Sequence, residues 1–128
     1  MKNEVSVKVL LAESELTFRS FLRRKMEKEP DLSLVGDARD SHEALLYAEQ
    51  FHPDVVLMDM DLEGGSLDAV RQIKSRLPRT RIVMLSVLSG ETYQSVAASS
   101  GADALLLKSA PVAKIIEAVR REKSSELA

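Results

Sequence analysis

The sequence predicts a single α/β domain built on an open, doubly wound parallel sheet of five strands in the order 2-1-3-4-5. Three observations carry that prediction. Five short apolar runs alternate with five longer segments of helical period. The runs are apolar at consecutive rather than alternate positions, as strands covered on both faces must be. Four of them end in polar residues able to do chemistry: VKVLLAES reaches Glu13 and Ser14, DVVLMDMD reaches Asp59 and Asp61, RIVMLS reaches Ser86, and ADALLLK reaches Lys108. Side chains gathered at the carboxyl ends of parallel strands mark the edge along which such sheets hold their ligands.

Each element has a local reason. Val5 to Leu11 is a β-branched and leucine run and gives the first strand. Phe18, Phe21, Leu22 and Met26 then keep helical spacing, with Arg19, Arg23, Arg24 and Lys28 turned away and Pro30 as the stop. Leu32 to Val35 is the second strand. Asp40 or Ser41 caps a helix through Phe51, and Glu43 is placed for a capping box if Asp40 is the cap. Pro53 resets the chain, Asp54 to Asp59 is the third strand, and Gly64 and Gly65 make the turn. Leu67, Val70, Ile73 and Leu77 form the buried stripe of the third helix, which ends before Pro78. Arg81 to Ser86 is the fourth strand, Glu91 to Ser99 a short helix of small residues, and Gly101 its C-cap. Ala104 to Leu107 is the fifth strand, and Val112, Ile115, Ile116 and Val119 line the last helix. Residues 1–123 therefore make the domain, and the polar stretch 124–128 a tail or the start of a linker.

Composition removes several classes of function. A chain of 128 residues with 45% hydrophobic side chains is one ordinary globular domain. Its 18 Lys and Arg nearly balance its 20 Asp and Glu, so the net charge gives no case for a nucleic-acid-binding surface on this segment. No cysteine is present, which excludes a disulfide scaffold, a thiolate zinc site and a thiol nucleophile. No apolar stretch nears membrane-spanning length and MKNEVSVK lacks a signal-peptide core, which makes the cytoplasm the default compartment.

Right-handed crossovers open a crevice where the winding reverses, between strands one and three, and Glu13 and Asp59 end those two strands. Clustered carboxylates repel, one pKa tends to rise, and a divalent cation relieves the repulsion; magnesium suits an all-oxygen site. With the charge balanced, an ionised aspartate can attack a phosphoryl group while an ammonium and a hydroxyl hold its outer oxygens. Asp59, Lys108 and Ser86 match those three roles, and Glu13, Asp59 and Asp61 are the candidate metal ligands.

At this point the residues resemble the receiver domains of two-component response regulators, from Val5 to Arg121. DVVLMDMD is similar to the phosphoacceptor strand, MLS to the strand bearing the family's Ser or Thr, and LLLKSA to the strand bearing its lysine. PDLSLVGDARDSHEAL, HPDVVLMD and GADALLLKSAPVAKIIEAV further resemble the LuxR-type subgroup, in which a helix-turn-helix output domain usually follows. The resemblance implies a flavodoxin-like fold and a switch rather than an ordinary enzyme. A sensor histidine kinase would phosphorylate Asp59 with Mg2+, the face of helix four, strand five and helix five would rearrange, and output would be transcription control. It also implies a homodimer through that face or through helices one and five.

Departures from the family pattern are as specific as the matches. Ser14 stands where the family has a second acid, and Glu15 is one residue further on. Leu62-Glu63-Gly64-Gly65 replaces the usual Pro-Gly, Leu105 replaces an aromatic switch residue, and Ser109 rather than proline follows Lys108. These departures sustain a second reading, a pseudo-receiver that binds partners without phosphorylation. An enzyme or flavin carrier on the same fold is disfavoured because no glycine- or hydroxyl-rich phosphate loop follows strand one. Ser14 is read more simply as the N-cap of helix one than as a metal ligand. His42 and His52 are read as surface or helix-end residues, and Arg71, Lys74, Arg76, Arg79 and Arg81 as a solvated basic face.

Overall fold

The computed structural model describes residues 6–121; Val5 and the stretch 122–128, with its expected tail, lie outside the described residues. Strand and helix alternate through β1 (Val7–Ala12), α1 (Leu16–Glu27), β2 (Leu32–Ala38), α2 (Ser41–Phe51), β3 (Val55–Asp59), α3 (Ser66–Arg76), β4 (Arg81–Ser86), α4 (Glu91–Ser100), β5 (Ala104–Leu107) and α5 (Val112–Arg120). Every neighbouring strand pair is parallel and the order is β2-β1-β3-β4-β5, the doubly wound sheet expected from the alternation.

Strand parity builds the two halves of the core. Val9, Leu11, Val55, Leu57, Val83 and Leu85 pack with Leu22 and Met26 of α1 and Ile115 and Val119 of α5. Their sequence neighbours Leu10, Ala12, Val56, Met58, Ile82 and Met84 pack on the other face with Ala44, Ala48, Val70, Ile73 and Ala97. Nearly all of these side chains are fully buried. The same parity carries past the strand ends. Glu13 continues the series of Val9 and Leu11, Asp59 that of Val55 and Leu57, and Lys108 that of Ala104 and Leu106, all toward α1 and α5. Ser86 continues Ile82 and Met84, toward α3 and α4.

Helix ends follow the expected chemistry in part. Asp40 caps α2, its Oδ1 accepting from the Glu43 N–H at 2.8 Å. The return bond goes one residue further than a capping box predicts. Glu43 accepts from the Arg39 N–H at 2.9 Å and grips the Arg39 guanidinium at 3.2 and 2.7 Å, which holds the Glu43 carboxyl down at a pKa of about 2. Gly101 ends α4 in the left-handed region, and His52, exposed, does the same for α2 with φ 48°. His42 is exposed as expected.

Other expectations fail. The N-cap of α1 is Glu15, not Ser14: its carboxylate accepts from Phe18 N at 2.7 Å and Thr17 N at 3.2 Å, and these bonds lower its pKa. The basic run is not uniformly solvated either. Arg81 is only 5% exposed and donates to the Ala118 and Val119 carbonyls, at 3.1 and 3.4 Å, which lie in the last turn of α5. A cation there meets both the carbonyls a helix end leaves over and the negative end of its dipole. Lys74 pairs with Asp103 at 2.7 Å, and Arg76 pairs with Glu49.

Candidate functional site

Three of the residues singled out from the sequence converge at the carboxyl edge of β1, β3 and β5. The Lys108 Nζ lies 3.0 and 3.1 Å from the two carboxylate oxygens of Glu13 and 3.2 Å from Asp59 Oδ1. Both acids are buried, Glu13 at 1% exposure and Asp59 at 4%. Lys108 also sits over the Phe18 ring, 5.1 Å from its centroid, so an apolar wall of α1 supports the ammonium from below. That support was not foreseen; Phe18 reads in sequence only as part of a core stripe.

Electrostatics follow from two acids sharing one base. Burial raises the Glu13 pKa and the charge of Asp59 adds to the rise, while the Glu15 N–H and Lys108 pull it down without cancelling it. Burial disfavours the Lys108 ammonium, yet the bond to Glu13 and the charges of Glu13 and Asp59 outweigh it, so the Lys108 pKa is raised. Glu13 Oε2 accepts from Lys108 and from the Glu15 N–H at 3.1 Å. Oε1 keeps its ionic contact with Nζ but accepts no hydrogen bond.

Asp61 and Ser86 stay outside this cluster. The Asp61 side chain is exposed, and the residue serves the site through its backbone N–H, which donates to Asp59 Oδ1 at 2.9 Å. Glu13, Asp59 and Asp61 therefore do not form a three-carboxylate corner, and among the described residues no group of three His, Asp or Glu side chains is arranged to hold a metal. Ser86 closes a tight local turn, donating to Leu88 O at 2.8 Å and accepting from Leu88 N at 3.0 Å. It lines a cleft of about 560 Å3 shared with Asp61, Arg71 and Tyr93, on the α3 and α4 side of the sheet.

The loop after β1 is tightly held. Ser14 Oγ accepts from the Glu63 N–H at 2.8 Å, and Arg19, rather than turning outward, donates to the carbonyls of Glu13 at 2.8 Å and Ser14 at 3.3 Å. The loop after β3 needs its glycines: Gly64 has φ 93°, and a Cβ there would overlap Ser41 Oγ.

A family model described as the response regulator receiver domain matches residues 9–120. This chain belongs to the response regulator receiver family. The receiver is 32% identical to the uncharacterized transcriptional regulatory protein YxjL of Bacillus subtilis over 125 residues, 97% of this chain and 57% of that protein. Its fold matches the signal receiver domain assigned to the response regulator NarL from Mycobacterium tuberculosis with a TM-score of 0.85 at 27% identity, covering 91% of this chain and 94% of the other. A LuxR-family two-component response regulator from Aurantimonas sp. SI85-9A1 matches with a TM-score of 0.84 at 28% identity, covering 89% and 82%. The receiver is accordingly of the LuxR and NarL type. It spans about half the length of the curated relatives it matches. Leu105, where the family often carries an aromatic, packs into the core cluster under α2, α3 and α4. Among the described residues no helix is long and apolar enough to cross a membrane.

Proposed function

We propose that this receiver accepts a phosphoryl group on Asp59 from a sensor histidine kinase and relays the change to an output that controls transcription. The observation that carries this reading is the sharing of one half-buried ammonium, Lys108, by the buried carboxylates of Glu13 and Asp59. Asp59 Oδ1 is already taken by Lys108 and the Asp61 N–H, which leaves Oδ2 as the attacking oxygen. Its electron pair forms the new P–O bond, the P–N bond of the donor phosphohistidine breaks, and that electron pair returns to the imidazole. Lys108 then pairs with a phosphoryl oxygen while Glu13 keeps it in place.

The residues fit a magnesium ion. Glu13 and Asp59 supply two buried carboxylates, Glu13 Oε1 accepting no hydrogen bond while in ionic contact with Lys108 at 3.0 Å, and magnesium is commonly held by one or two carboxylates together with water and phosphate oxygens. Glu13 and Asp59 would hold it, and when bound it offsets the charge between Asp59 and the incoming phosphoryl group. Ser14 is a poor ligand because its oxygen already accepts from Glu63.

A phosphoryl group brings roughly 1.5 to 2 negative charges, enough to compete for Ser86 against its own turn. Ser86 would leave Leu88 and carry the segment 87–90 inward, altering the face of α4, β5 and α5. That face, or the one formed by α1 and α5, would serve a homodimer. To test the reading, the protein is incubated with magnesium and acetyl phosphate beside Asp59→Asn. The expected result is one base-labile, acid-stable phosphoryl group that the variant lacks. No modification, even with the cognate kinase, sinks the proposal and favours a phosphorylation-independent interaction module.

A further inference from the structure

Glu63 exposes its side chain but has its backbone held from two sides. Its N–H donates to Ser14 Oγ at 2.8 Å, and its carbonyl accepts from the Ser41 N–H at 2.8 Å, completing a parallel bridge with Asp40. The loop it belongs to begins at Asp59 and also supplies the Asp61 N–H to that carboxylate. Ser14 follows Glu13 directly, and its own backbone is fixed by Arg19 on its carbonyl and by Glu15, which is committed to capping α1. The Ser14 to Glu63 bond thus fastens the loop after β3 to a loop that has no slack.

Chemistry explains why a hydroxyl suits this place. Glu13 and Asp59 already press two carboxylates on one ammonium, and a third acid beside them would deepen the repulsion. A serine oxygen accepts an amide N–H without adding charge. The two loops are therefore joined in a way that requires no cation between them.

We infer that Ser14 is a positioning residue, which holds the Asp59 loop in its reactive geometry through the Glu63 amide and independently of metal. The inference rests on the phosphoaccepting role of Asp59, and it places Ser14 outside the ligand set.

The test compares wild type, Ser14→Ala and Ser14→Thr. Amide exchange at Glu63 is followed by NMR with and without magnesium, and the rate of phosphorylation by acetyl phosphate is measured across a magnesium titration. In wild type, Glu63 protection is the same with and without the ion. Ser14→Ala speeds Glu63 exchange roughly three- to ten-fold, as loss of one hydrogen bond implies. It lowers the maximal phosphorylation rate several-fold and leaves the half-saturating magnesium concentration unchanged. Ser14→Thr, which keeps the hydroxyl, restores both. A shifted half-saturation at unchanged maximal rate would make Ser14 a metal-side residue and overturn the inference, as would unchanged Glu63 exchange or unchanged kinetics in Ser14→Ala. A wild type that is never phosphorylated refutes the role of Asp59 instead, and the exchange data then leave Ser14 a purely structural tie.

Discussion

Replacing Lys108 by Met removes the single positive charge shared by two buried acids, and its effect can be sized from the geometry. At 3.0 and 3.2 Å, with an effective dielectric of 20, each contact has a gross Coulomb energy of about 5 kcal/mol, most of it offset by the cost of desolvating the three groups. Deleting one partner of a fully buried pair typically costs 3 to 5 kcal/mol; the Lys108 side chain keeps 18% exposure, so water screens part of the loss and about 2 kcal/mol is expected near pH 8. The sign with pH follows from Glu13. Its pKa in the folded protein lies above the ordinary 4.5, so stability falls as pH rises from the unfolded value through the folded one. Lys108→Met deletes the downward pull of Lys108 on Glu13, raises the folded pKa further and widens that window. The deficit should therefore be smaller near pH 5 than near pH 8, because acid moves Glu13 toward its protonated form, which needs no counter-charge. Urea unfolding followed by circular dichroism reads this directly: at a slope of about 1 to 3 kcal/mol per molar, the midpoint drops by roughly 0.7 to 2 M near pH 8. A deficit equal at both pH values, or larger in acid, refutes the argument.

Three further outcomes follow from the fold. Arg81→Met should destabilise by about 1 to 3 kcal/mol and speed amide exchange at the end of α5, since it strips the guanidinium from the Ala118 and Val119 carbonyls; unchanged exchange there would show that the clamp is idle. Gly64→Ala, at φ 93° and against Ser41 Oγ, should cost roughly 1 to 3 kcal/mol in thermal unfolding, with Ser41→Gly recovering part of it. Asp40→Ala removes the α2 cap and should cost about 1 kcal/mol in urea unfolding, most visible as faster exchange at Glu43.

Most of the fold could be read from the chain because strands buried on both faces leave a plain mark: Val55 to Met58 and Ile82 to Leu85 are apolar at every position and lie at 0 or 1% exposure. The convergence of Glu13, Asp59 and Lys108 could be read as well, since each ends such a run. What escaped depended on contacts distant in sequence. Ser14 is a better N-cap than Glu15 by residue type, but its partner is an amide 49 residues away, and that bond frees the cap position for Glu15. Arg81 resembles one more surface cation until α5, 37 residues later, is folded beneath it. The separation of Ser86 from the cluster was legible in principle: Ile82, Met84 and Ser86 share a parity opposite to Leu57 and Asp59, and counting by twos places the hydroxyl on the other face.

The wall of the cleft beside Ser86 has a spectroscopic consequence. The protein contains no tryptophan and two tyrosines, so its emission on excitation in the tyrosine band comes from Tyr47 and Tyr93. Tyr47 packs against Phe51 on α2, whereas Tyr93 faces the space into which the segment 87–90 would move. In a Tyr47→Phe background, intrinsic fluorescence becomes a single-site, label-free report on that cleft, and the movement of Ser86 could be timed in solution as it happens.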